Sequence, residues 1–154
     1  MLYPKFIFIS INMSVIKENT YSTITSDEDK QKLGNQFILA FRDQNWDLLK
    51  SIITEDCTWS ISGENDLADK LTGHDEVISK ARQFVTKLSF EFDHIRQSLN
   101  CVALAIFTHA ATGDKNADEQ IATVNTIRDG KISEINTFFS DVPGMHSYFA
   151  EWAN

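Results

Sequence analysis

Positive charge is scarce in this chain: 14 Lys and Arg stand against 22 Asp and Glu in 154 residues, a net charge of −8. Nucleic-acid backbones are held by clustered Lys and Arg, so no nucleic-acid partner is expected. The same balance disfavours adsorption to anionic membrane surfaces. Long apolar runs are missing too. None reaches the ~18 residues of a membrane span, so no membrane partner is expected either. Cysteine is limited to Cys57 and Cys101, both in apolar contexts without metal-ligand spacing. They read as buried thiols of a reducing compartment, which gives a cytoplasmic location. The four His include no i, i+4 pair, and little is offered to a transition metal. Neither a Gly-rich phosphate loop nor a nucleophile elbow occurs. No metal and no cofactor are expected.

What is present reads as one domain over residues 26–154, preceded by a loosely held arm over residues 1–25. The opening MLYPKFIFISIN is apolar from Phe6 to Ile11 but has no small-residue cleavage site after it, so it makes a poor signal peptide. Met13 is an alternative start. Ser26 with Asp29 forms a capping box, and Leu33, Phe37, Ala40 and Phe41 recur at helical spacing to about Arg42. Asn45 can cap a shorter helix with Trp46, Leu49 and Ile53 inward, ended by Glu55 and Asp56. Cys57 to Ser62 reads as a short strand, and Glu64 to Leu71 as a polar loop. Thr72 with Asp75 suggests a second capping box, followed by the stripe Val77, Ala81, Phe84 and Leu88.

From Phe90 the period changes to two. Phe90, Phe92 and His94 share a face, Ser98-Leu99-Asn100 makes a turn, and Cys101 to Ala111 is apolar enough for a strand covered on both sides. Glu119 to Val142 holds a hairpin closed by Asp129-Gly130, because Gly accepts the positive φ such turns require. On strict alternation, Ile132, Glu134, Asn136 and Phe138 face one side, and Ser133, Ile135, Thr137 and Phe139 the other. Met145, Tyr148, Phe149 and Trp152 suggest a short amphipathic tail helix. Helices grouped against a curved antiparallel sheet predict an α+β fold, with a conical space between the layers as a natural pocket.

This layout resembles the nuclear-transport-factor-2-like superfamily, especially its SnoaL-like and ketosteroid-isomerase-like branches. The likeness rests on Phe41-Arg42-Asp43-Gln44-Asn45-Trp46-Asp47 leading to Thr54-Glu55-Asp56-Cys57-Thr58-Trp59, on Leu71-Thr72-Gly73-His74-Asp75-Glu76, and on Asp129-Gly130-Lys131-Ile132 running into Phe138-Phe139-Ser140-Asp141. It covers roughly residues 27–150. It implies a cone-shaped, cystatin-like sheet with three helices on its concave face, frequent homodimers, and functions from isomerisation to pure binding. The resemblance also implies positions for a steroid isomerase's general-base Asp, oxyanion Tyr and further acid. By ungapped count these fall on Ile61, Phe37 and Thr123, none of which can do those jobs. Polyketide cyclases of the SnoaL-like branch use an acid after an aromatic pair. Here Phe138-Phe139 is followed by Ser140, with Asp141 one residue later.

Two function classes stay open. In the first, a small, mostly apolar ligand binds in the cone and is isomerised, cyclised or dehydrated by cofactor-free acid–base chemistry. His109 and Asp141 would then handle protons, with Asp141 or Glu119 orienting His109. Phe37, Phe41, Trp59, Thr123, Asn125 and Phe138 would bind the ligand. In the second class, the protein is a non-catalytic binding or assembly module whose cone is filled by its own Phe and Trp side chains. His109 is then a core or interface histidine satisfied by a neighbour. A small hydrophobic ligand and a homodimer through the outer sheet face are the expected partners.

Overall fold

A computed structural model describes residues 25–62, 70–110, 119–141 and 143. The arm up to residue 24 and the tail helix expected over Met145–Trp152 lie outside these residues. The described elements run α1 (Asp27–Arg42), α2 (Trp46–Ile52), β1 (Ile53–Ile61), β2 (Lys70–Thr72), α3 (His74–Lys87), β3 (Leu88–Gln97), β4 (Cys101–Ala110), β5 (Glu119–Arg128) and β6 (Lys131–Phe139). The strands form one sheet in the order β2-β1-β6-β5-β4-β3, and the helices pack against one face of it. The α+β fold is as the sequence predicts.

The helix starts obey local chemistry. Ser26 Oγ accepts the Asp29 amide at 3.1 Å and donates to its carboxylate at 2.7 Å, while Asn45 Oδ1 accepts the Leu48 amide at 3.0 Å. α3 departs from expectation. Its cap is Gly73, at φ +92°, with no side-chain capping bond. Thr72 instead belongs to β2, and the Glu76 carboxylate reaches back to accept the Thr72 amide at 2.9 Å.

Three features of the sheet differ from strict alternation. β1 pairs with β6 in parallel, so the sheet is mixed and not wholly antiparallel. The long crossover between the two strands allows this. A bulge near Ser133 breaks the β6 alternation: Ile132 is buried on the same side as Ile135, Thr137 and Phe139. A second bulge at Asp93 in β3 turns His94 away from the face of Phe90 and Phe92, and His94 pairs with Ala105. α1 approaches the sheet closely at Gly34, where an added Cβ would lie 3.0 Å from Val102 Cγ2. Lys30, only 3% exposed, ties α1 to the β3–β4 turn by donating to the Ser98 carbonyl at 2.6 Å and pairing with Asp27.

Candidate functional site

The inward face of the sheet and the inner stripes of α1 and α3 meet in an aromatic chamber. α1 brings Phe37 and Phe41 four residues apart, one helical turn, with ring centroids 4.8 Å from each other. Phe41 stands edge-on to Trp59 of β1 at 6.1 Å and to Phe90 of β3 at 6.2 Å. Trp59 lies 5.4 Å from Phe84 of α3, and Phe90 stacks on Phe92 at 6.5 Å. Such pairs contribute about 0.5–1.5 kcal/mol each beyond the apolar area they bury. With Ile106, Ile121, Thr123 and Thr137 these rings surround a residual space of about 20 Å³. That is scarcely more than one water occupies.

The chamber's polar groups form a short chain. Trp59 Nε1–H donates to Thr137 Oγ1 at 3.0 Å, and the Thr137 and Thr123 hydroxyls are 3.2 Å apart. Three protons are available to these two bonds, so one hydroxyl proton is left over. Among the described residues, none of the lining side chains is ionisable. Asn125, two residues beyond Thr123 on the same face of β5, is 0% exposed, and among the described residues neither its Oδ1 nor its Nδ2 has a hydrogen-bond partner. Leaving a buried amide group unpaired costs about 1–3 kcal/mol.

Of the residues expected at the site, the structure gathers Phe37, Phe41, Trp59 and Thr123 in the chamber, with Asn125 just past its lining. Phe138 is elsewhere: it alternates with the buried Thr137 and Phe139 and is 50% exposed on the outer sheet face. His109 also points outward, its side chain 49% exposed and its Nε2 4.0 Å from a Glu91 carboxylate oxygen. Asp141 is exposed beyond the end of β6, where its amide donates to Glu119 Oε1 at 2.6 Å. β5 runs between His109 and the β6 end, which separates the two by about 10 Å of strand spacing. Neither lines the chamber. Glu119 is engaged at the strand end by Ser140 and Asp141.

Phe84, Phe90, Phe92, Ile106, Ile121 and Thr137 complete the lining. Phe84 was visible in the helical stripe of α3, and Thr137 by its alternation with Ile135 and Phe139. Their joining in one chamber depends on tertiary curvature, which no local pattern encodes.

The outer face has its own relief. Ala105 of β4, Ala122 of β5 and Phe138 of β6 stand side by side in register, with Phe107 next along β4. The small Ala side chains leave a trough of about 420 Å³ between the two Phe rings, with Asp93 and His94 at its rim. Among the described residues, β4 is covered on its inner face only. Among the described residues no cluster of three His, Cys, Asp or Glu could hold a metal. Cys57 is buried, and burial, reinforced by the Asp56 charge, pushes its thiol up to about 12. No helix among the described residues is long and apolar enough to cross a membrane.

The SnoaL-like domain profile matches residues 35–135, about two thirds of the chain. The chain belongs to the SnoaL-like domain family. The same architecture recurs in solved proteins. Bal32a, from a soil-derived mobile gene cassette, superposes with a TM-score of 0.72 at 16% identity, over 79% of this chain and 96% of its own. A cystatin-like protein from Xanthomonas campestris gives 0.70 at 18% identity, over 77% and 96%. A nuclear-transport-factor-2-like protein from Burkholderia xenovorans gives 0.68 at 16% identity, over 80% and 97%. At these identities the likeness concerns the fold alone, which this SnoaL-like domain shares with nuclear-transport-factor-2-like and cystatin-like structures. No curated protein matches the chain.

Proposed function

We propose that this SnoaL-like protein is a non-enzymatic binding module that accepts a small apolar molecule in its aromatic chamber and works as a homodimer. The observation that carries the reading is the chamber's composition: aromatic and Ile walls, one neutral hydroxyl–indole chain and, among the described residues, no ionisable side chain. Proton transfer needs a titratable group within hydrogen-bond reach of the reacting atom. His109 and Asp141, the candidates for that task, stand outside the walls.

A chamber of about 20 Å³ holds no organic guest as it stands. Phe90 and Phe92 are only half-buried, and displacing them is the route by which it opens. Dry apolar chambers take up aromatic hydrocarbons because the guest leaves water and regains dispersion contacts. The homodimer forms across the outer face. Phe138 projects beside a trough floored by Ala105 and Ala122, so a two-fold axis lets each copy's Phe138 enter the other's trough.

The test is a thermal-shift titration with ethylbenzene. Wild type, His109→Gln and Asp141→Asn are expected to gain the same saturable stabilisation, and the chamber-filling Ile106→Trp none. Stabilisation that persists in Ile106→Trp, or vanishes in His109→Gln, would overturn the reading.

A further inference from the structure

The Asn125 carboxamide has two N–H donors and a carbonyl acceptor, yet it lies at 0% exposure with both atoms unpartnered among the described residues. In the sheet its neighbours are Val102 on β4 and Ile135 on β6, which offer no side-chain hydrogen bond. It shares the inward face of β5 with Thr123, which lines the aromatic chamber about 7 Å away by strand rise. A group that enters past Thr123 therefore reaches a donor and an acceptor on one planar edge. No charge among the lining residues could balance an ionised group, whose desolvation would go uncompensated.

We propose that the chamber's guest is an uncharged molecule with an apolar ring and one amide-like edge, an amide or lactam, that pairs with Asn125 through two hydrogen bonds. The guest's carbonyl accepts from Asn125 Nδ2, and its N–H donates to Asn125 Oδ1. This rests on the binding-module reading and adds the guest's chemistry to it. Pairing both atoms at once is what distinguishes an amide from a ketone, which could only accept.

The experiment uses the full chain and three probes of similar size: benzamide, acetophenone and ethylbenzene. Binding is followed by the side-chain NH₂ resonances of Asn125 in ¹⁵N-labelled protein and by calorimetry. Benzamide is expected to bind at least tenfold tighter than ethylbenzene, with acetophenone between, and to shift the Asn125 NH₂ pair. Asn125→Leu is expected to reduce benzamide to the affinity of ethylbenzene, to leave ethylbenzene unchanged, and to raise the melting temperature of the free protein. Ethylbenzene binding as tightly as benzamide would overturn the proposal and leave the binding module standing. If none of the probes binds, both fail. Should Asn125→Leu not fold, the wild-type probe ranking and the NH₂ shifts decide alone.

Discussion

Trp59 and Thr137 are joined across the parallel β1–β6 pair by a 3.0 Å hydrogen bond from the indole to the hydroxyl, wholly inside the aromatic chamber. Thr137→Val leaves that indole N–H buried without a partner, which costs about 1–3 kcal/mol. Trp59→Phe removes the donor together with ring volume. In a double-mutant cycle by urea denaturation the two losses should fall short of additive by about 1 kcal/mol. Strict additivity would mean that the bond contributes nothing.

Gly34 is expected to resist substitution. Alanine is better than Gly in a helix by about 1 kcal/mol, but its Cβ would sit 3.0 Å from Val102 Cγ2 and 3.4 Å from two Ile95 carbons. Val102 is fully buried and cannot withdraw. Overpacking costs about 1–3 kcal/mol, so Gly34→Ala should destabilise on balance. Val102→Ala in the same chain should relieve the clash, which denaturation midpoints of the single and double variants will show.

The Arg128 guanidinium bonds the Asp56 carboxylate and holds it below the ordinary carboxylate range. A depressed folded-state pKa means that the stabilisation is complete above the unfolded value, about pH 4, and is lost as pH falls through the folded value. The pair is exposed and its contribution is small and salt-sensitive. Carboxyl NMR titration should return Asp56 to the ordinary range in Arg128→Gln.

Cys57, with its thiol pushed up to about 12 by burial, carries almost no thiolate at neutral pH and should resist alkylation in the folded state. Iodoacetamide followed by peptide mapping is expected to label Cys57 only after denaturation. Rapid labelling in native buffer would place it on a surface.

The sequence carried the helices, the β5–β6 hairpin and most of the inward faces, because these follow from local periodicity and caps. Phe37, Phe41, Trp59 and Thr123 are in the chamber for that reason. Strict alternation puts His94 and Ile132 on the wrong faces because one-residue bulges at Asp93 and near Ser133 invert it, and a bulge leaves no compositional mark. The parallel partner of β1 is invisible locally, as is the burial of Lys30, whose amine finds the Ser98 carbonyl 68 residues away. His109 is a polar residue in an apolar strand, yet His109 and Phe107 belong to the outer face, which no described element covers.

That open face should respond to charge. Phe138→Lys is expected to convert the proposed homodimer to monomer in sedimentation at micromolar concentration without lowering the melting temperature of the monomer, since Phe138 is half exposed there. A dimer that survives the change would place the interface elsewhere.

The most direct test of guest binding in the chamber follows the Trp59 Nε1–H resonance while ethylbenzene is added to ¹⁵N-labelled protein. An apolar guest in the chamber should give a saturable shift of that resonance, equal in wild type and in the His109→Gln and Asp141→Asn variants. A Trp59 resonance that stays fixed up to the solubility limit of ethylbenzene would contradict it.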